Sequence, residues 1–222
     1  MQISITDGSG RTTEVVPPLL GVEDDIQKET ALRYHMMKQA DLVYSMTSGG
    51  MIEPARAKIW QEHYISAEVL LPFVEQSSFV PPGHEKLFAK GLAAGMEGDF
   101  ATALHLLIPQ SENALREMLK RMGYVVNTKE KDDHITQEAL SINAILAHEG
   151  TREALDEGTL FDLKSLLLDR LGSTWRHAIA HGIVSDFSFQ KGSSTTYIFW
   201  LILRLIILPL IPENDSVLEA TD

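Results

Sequence analysis

One arginine and two histidines stand close together in the segment Trp175-Arg176-His177-Ala178-Ile179-Ala180-His181-Gly182, inside an otherwise apolar stretch. A guanidinium grips phosphate in a fork geometry, and imidazoles exchange protons near neutral pH. Such a set suits RNA cleavage without a metal. A base takes the ribose 2′-hydroxyl proton, an acid protonates the leaving oxygen, and positive charge steadies the crowded phosphate. Arg176 is the candidate phosphate ligand and His181 the candidate general acid or base. His177 is either the second acid or base or the group that orients the first.

Residues five apart on a regular helix lie about 140° around the axis and about 7.5 Å along it, so Arg176 and His181 meet only through arginine's reach or at a bent helix end. His177 and His181, four apart, share a face. Gly182 can close the helix in the left-handed conformation, and Ser173 or Thr174 can cap its start. His181 then falls in the last turn, where the helix dipole favours the protonated ring. Spacing alone does not identify a site, because Arg56-Ala57-Lys58-Ile59-Trp60-Gln61-Glu62-His63 also places a histidine shortly after an arginine. Nothing around Arg56 and His63 suggests a pocket, and they read as a solvated helix face.

The elements expected to hold these groups are helical. Apolar residues recur at helical spacing over 25–46, and a Thr47-Ser48-Gly49-Gly50 break follows. A second helix opens at Pro54 and stops near Pro72. Residues 76–83 read as a linker, which divides the chain into an N-terminal helical extension, 1–82, and a helical bundle domain, 83–222. In the bundle, helices are expected over 84–97, from the Asp99 cap to about Met122 with a kink at Pro109, over 136–148 and over 159–171. The first 22 residues fit a small hairpin turning at Asp7-Gly8-Ser9-Gly10, or a loose arm, equally well. The 15-residue run 197–211 is interrupted by Arg204 and Pro209 and is too short to span a bilayer, which takes roughly 20 residues. It reads as a fully buried bundle helix, so no membrane insertion is expected.

The 222-residue chain is long enough to bury a substantial core and contains no cysteine, which excludes disulfides, thiolate metal sites and cysteine nucleophiles. A reducing, cytoplasmic setting is the simplest expectation, and the N-terminus lacks the pattern of a secretory signal. Net charge is −12, concentrated at the ends: residues 1–30 carry six acidic and two basic side chains, and residues 211–222 four acids and no base. Any nucleic-acid contact must therefore be local. The best basic candidate is 112–131, where Arg116, Lys120, Arg121, Lys129 and Lys131 face Glu112, Glu117 and Glu130.

The segment Arg176-His177-Ala178-Ile179-Ala180-His181-Gly182 resembles the R-N-x-x-x-H-G signature of the domain of unknown function 4209 family, part of the HEPN superfamily. The upstream run Gly98-Asp99-Phe100-Ala101-Thr102-Ala103-Leu104-His105-Leu106-Leu107-Ile108-Pro109-Gln110-Ser111-Glu112-Asn113-Ala114-Leu115-Arg116 is similar to that family's helix, including its Leu-x-Pro-Gln and Glu-x-x-x-Arg elements. The resemblance implies an all-α HEPN-like bundle. It further implies a homodimer whose arginines and histidines line a shared cleft, and metal-independent ribonuclease activity in a toxin or defence setting. An inhibitor or antitoxin protein would be a further partner. Other members of the superfamily serve as non-catalytic dimerisation or nucleotide-binding scaffolds. Arg176 and His181 match the active pair, whereas His177 stands where asparagine is common.

Other readings of the same residues stay open. Arg176 and His181 could instead tie helices together as a buried polar pair. Glu112 and Arg116, four apart, could bridge one helical turn or support the cleft. His177 and His181 could ligate zinc only with a third ligand that the sequence does not offer nearby, so neither metal nor cofactor is expected. His105, His134 and His148 could complete such a site only through tertiary folding, while His35, His63 and His84 read as surface or linker residues. The surroundings of Trp60, Trp175 and Trp200 read as core rather than as base-stacking platforms. A third function, docking to a membrane or partner through 197–211, would leave that run exposed.

Overall fold

The structure, a computed structural model, describes residues 3–6, 12–18, 24–129, 137–190 and 193–211. The 7–10 turn, Glu130, Lys131, His134 and the acidic end at 212–222 lie outside the described residues. The architecture is mostly helical. Strands β1 (Ile3–Thr6) and β2 (Thr12–Val16) pair antiparallel, with Ile3 opposite Val16 and Ile5 opposite Glu14, which is the hairpin rather than the loose arm. Val16 buries against Ala31, Met37 and Leu171, so the hairpin is docked on the first helix.

That helix, α1 (Asp25–Thr47), passes through a π-helical turn at Ser48–Ile52 directly into α2 (Glu53–Glu62). The expected break at Gly49-Gly50 is thus a widened turn in a continuous helical path. Helix α3 (Ala67–Gln76) is separate from α2 and runs through Pro72. Pro72 and Glu68, whose carbonyl loses its donor, are both exposed, so water can satisfy that carbonyl while Val74 stays in the core.

Helices α4 (Glu85–Glu97) and α5 (Phe100–Arg121) form the central hairpin. Gly98 ends α4 at φ +99°, and Asp99 caps α5 by accepting the Thr102 N–H at 3.0 Å. The Thr102 hydroxyl and N–H hold the Asp99 carboxyl below the usual range. Helix α5 continues past Pro109. The chain then forms a short antiparallel ladder, β3 (Asn127–Lys129) with β4 (Gln137–Ala139), where a helix was expected from 136. The reason is local: the Leu140 N–H bonds the Val126 carbonyl at 2.9 Å, and the Ser141 hydroxyl caps a helix that starts only afterwards.

That helix is α6 (Ile142–Ala147), and α7 (Glu149–Ala154), α8 (Glu157–Leu167), α9 (Trp175–Ala180), α10 (Asp186–Gln190) and α11 (Ser193–Ile207) follow. One apolar core takes Phe88 and Leu92 from α4, Leu104, Leu107 and Leu115 from α5, Leu163 and Leu166 from α8, and Ile198, Phe199 and Ile202 from α11. Tyr44 and Val74 join it from the N-terminal side of the 76–83 segment, and Phe79 and Val80 from that segment itself. Helix α11 is not buried all round as expected: Trp200, 39% exposed, opens toward Met51 and Ile59, although Ile198, Phe199, Leu201, Ile202, Leu205 and Ile206 are buried. Among the described residues no helix is long and apolar enough to cross a membrane.

A polar clasp closes α1 onto α8 and α11. The Tyr44 and Tyr197 hydroxyls donate to the two oxygens of Asp162 at 2.7 and 3.0 Å. Burial first, and then the Asp162 carboxylate, pushes the Tyr197 phenol up to about 12; burial likewise raises Tyr44.

Candidate functional site

Helix α9 is short and amphipathic. Trp175 and Ile179, one turn apart, are its buried face, and the Trp175 indole donates to Ser194 Oγ at 3.1 Å, tying α9 to α11. Anchoring that face turns Arg176, His177 and His181 outward. The helix ends as expected, with Gly182 at φ +64°. Its start differs: Thr174 is the N-cap, but its hydroxyl makes no capping bond and instead lines a pocket.

The turn before α9 is tightly built. Asp169, buried, accepts two bonds from Arg33 of α1, at 2.9 and 2.6 Å, and one from the Leu171 N–H. The Ser173 N–H then reaches back to the Ser165 carbonyl at 2.8 Å. Gly172 lies so close to that carbonyl that a Cβ there would sit 2.4 Å from the oxygen, so this reversal requires glycine.

Arg176 is 37% exposed and is steered by Glu112 of α5: its Nε donates to Glu112 Oε2 at 3.0 Å and its Nη2 to Oε1 at 3.5 Å. Glu112, 14% exposed, also accepts from Arg116 Nη2 at 3.1 Å. The same Nη2 donates to the Leu140 carbonyl at 3.0 Å, which locks Arg116 to the start of the α6 region. Glu112 therefore both bridges its own helical turn and holds Arg176. Two guanidiniums share one carboxylate, so the trio keeps a net positive charge. Arg176 spends only part of its five-donor fork on Glu112 and retains N–H groups for a ligand.

Arg176 and His177 open onto a pocket of 280 Å³ lined also by Ser141, Ile142, Asn143, Leu167, Leu168, Arg170 and Thr174. None of the described residues lining it is acidic. The ring of His181 lies 4.3 Å from that of His177, centroid to centroid, so the imidazoles form a contacting pair. His181 itself is exposed at the end of α9 and does not line the pocket. The structure thus joins Arg176 to Glu112, and through it to Arg116, while His177 lines the same pocket as Arg176 and pairs with His181. No protein-family model, curated protein or solved structure significantly matches this chain.

Among the described residues no group of three or more histidine, aspartate or glutamate side chains is arranged to hold a metal. Three of the other described histidines, His84, His105 and His148, have hydrogen-bond partners away from the site. His84 is not a free linker residue: its Nδ1 is 2.7 Å from Gln110 Oε1 and its Nε2 3.4 Å from Asn113 Nδ2. These contacts match a ring protonated at Nδ1 that donates to Gln110 and accepts from Asn113. His105 Nδ1 lies 2.7 Å from the Ala101 carbonyl, and His148 Nδ1 accepts the Gly150 N–H.

Arg56 departs from the solvated face expected of it. Its side chain is 14% exposed, is bound by Glu53 through Nε and Nη2, and donates from Nη1 to the Met96 carbonyl at 2.7 Å. It caps the C-terminal end of α4. It also lines a larger pocket, of 680 Å³, but one whose lining includes the carboxylates of Glu53, Asp99 and Asp186. His63 is exposed at the end of α2. Arg170 and Asn143 were not singled out from the sequence, and Thr174 only as a cap; their common signal is that all carry hydrogen-bond donors and flank the Arg176 helix or the α6 cap.

Proposed function

We propose that the α9 site binds a phosphodiester of RNA and cleaves it by metal-independent transesterification, as the HEPN resemblance of the 98–116 and 176–182 segments implies. The observation that carries this reading is the surface-accessible Arg176, held by Glu112 beside a pocket with no acidic residue among the described lining, which His177, paired with His181, also borders. In the reaction His181 takes the proton of the ribose 2′-hydroxyl, whose oxygen attacks the adjacent phosphorus. Arg176 binds the non-bridging oxygens as negative charge builds on them. His177 assists by protonating the departing 5′ oxygen, or by orienting His181 so that it passes the proton it took to that oxygen. The products are a 2′,3′-cyclic phosphate and a 5′-hydroxyl end.

Exposed Ile183 and Phe187, close in sequence to the imidazoles, offer apolar surface for a second copy of the chain, so that two such sets would face one groove. The test is incubation of the purified protein with RNA in chelator, comparing wild type with Arg176→Ala and His181→Ala. Chelator-resistant cleavage that disappears in both variants supports the reading. Cleavage surviving either substitution, or none in the wild type, overturns it. A non-catalytic scaffold is the second reading, favoured by the two bonds from Arg176 to Glu112, which would by themselves brace α9 against α5. Under that reading Arg176→Ala lowers stability and no RNA is cut.

A further inference from the structure

The pocket beside Arg176 is larger than one phosphate needs. Its 280 Å³ corresponds to roughly nine water molecules at their share of liquid volume, close to the lower end of ligand-sized cavities. Its lining divides by chemistry. Ile142, Leu167 and Leu168 are aliphatic, whereas Arg170, Arg176 and His177 are cationic or protonatable, with Ser141, Asn143 and Thr174 as neutral hydrogen-bonding groups. Arg170 is exposed and forms no ion pair among the described residues, in a chain whose net charge is −12. The neighbouring Asp169 does not neutralise it, being turned inward onto Arg33. An unpaired guanidinium beside an aliphatic floor, with an amide and two hydroxyls close by, is complementary to a flat apolar ring joined to an anion.

We infer that this pocket seats one nucleotide unit of the RNA strand, with Arg170 holding its phosphate, the aliphatic floor beneath its base and the Asn143 amide available to the base edge. The inference rests on the RNA reading of the α9 site and adds to it a binding subsite with its own positioning residue. Arg170 holds the phosphate next to the one on Arg176 and so sets which bond reaches the imidazoles. The volume admits a single unit, so recognition in this pocket extends to one base only.

Calorimetric titration of adenosine 5′-monophosphate, adenosine and inorganic phosphate into the protein tests the inference without requiring turnover. The nucleotide is expected to bind at least tenfold more tightly than either fragment. Arg170→Ala should weaken it at least tenfold while leaving adenosine unchanged, and Arg170→Lys should restore part of the loss. Asn143→Asp, which introduces a negative charge, should weaken the nucleotide as well. Both residues are exposed, so the variants retain the fold, which thermal melting verifies. An oligoribonucleotide with every 2′-hydroxyl replaced by hydrogen should displace the nucleotide. Three results would overturn the inference: nucleotide binding no tighter than phosphate, binding indifferent to Arg170→Ala, or no displacement by the oligonucleotide. Failure of the cleavage reading is separate, because it appears as absent chelator-resistant cleavage by a protein that still binds the nucleotide.

Discussion

Replacing Glu112 with glutamine keeps the shape of the side chain and removes the charge that two guanidiniums share. The Arg116 Nη2 and Arg176 Nε contacts, at 3.1 and 3.0 Å, are charge-assisted bonds to a nearly buried carboxylate, while the 3.5 Å contact adds little. Bonds to charged groups contribute about 1.5–3 kcal/mol each in net stability. The Arg176 share must be discounted toward the surface-pair range of about 0–1 kcal/mol, because that side chain is 37% exposed. The glutamine retains one acceptor oxygen, so we expect a net loss of about 2–3 kcal/mol, or about 4–12 °C in Tm for a chain of this size. Arg176→Ala leaves the Glu112–Arg116 bridge intact and should cost about 1 kcal/mol or less. A double-mutant cycle of the two, followed by urea denaturation, should return a coupling of about 0.5–1 kcal/mol. RNA cleavage by Glu112→Gln should fall about 10- to 100-fold through loss of Arg176 positioning. The reasoning is refuted if Glu112→Gln melts with the wild type, or if the two substitutions prove additive.

Three further expectations follow from the packing. Asp156 caps α8 through the Thr159 N–H and hydroxyl, which hold its carboxyl below the usual range; Asp156→Ala should therefore cost about 1 kcal/mol at pH 7. A lowered native pKa stabilises above the unfolded value near 3.8 and is lost as pH falls through the native one, so wild type and variant should converge in urea denaturation only in that acid range. Ultraviolet titration of the phenols should show Tyr197 ionising near its raised value of about 12, and Asp162→Asn should bring it down; an unchanged titration would mean that Asp162 does not act on it. Gly172→Ala must displace the backbone carbonyl of Ser165, costing about 1–3 kcal/mol in thermal denaturation and moving Arg170 away from Arg176, so nucleotide affinity should fall with it.

The helices that periodicity located through apolar faces that enter the core are α4, α5 and α8, because burial and caps such as Asp99 and Asp156 act within a few residues of sequence, whereas most of the apolar residues of α1, such as Ile26, Leu32 and Val43, are exposed. What remained illegible depends on partners distant along the chain. The 137–139 stretch pairs with 127–129 rather than continuing a helix, and only the hydrogen bonds of Leu140, to Val126 and from Arg116, show why. Helix α3 runs through Pro72 on its exposed side, where Glu68 and Pro72 both meet solvent, a matter of orientation that composition does not record. Trp200 is open because α2 and the π-helical turn leave space beside it.

The two arginine–histidine segments show the same limit at the site. Both Arg56 and Arg176 are held by a glutamate, and both border a pocket, so neither spacing nor the presence of an ion pair separates them. Their surroundings do. Arg56 also donates to the end of α4 and looks into a cavity bordered by three carboxylates, where an anion would meet repulsion. Arg176 shares its carboxylate with a second arginine and looks into a cavity that adds Arg170 and His177 and, among the described residues, no acid. An anion is therefore favoured at one and disfavoured at the other, although both lie within one strongly acidic chain. The sign of the local field arises from α5, the α8–α9 turn and α9 meeting in space, and the pattern within 176–182 could mark the candidate but not this distinction.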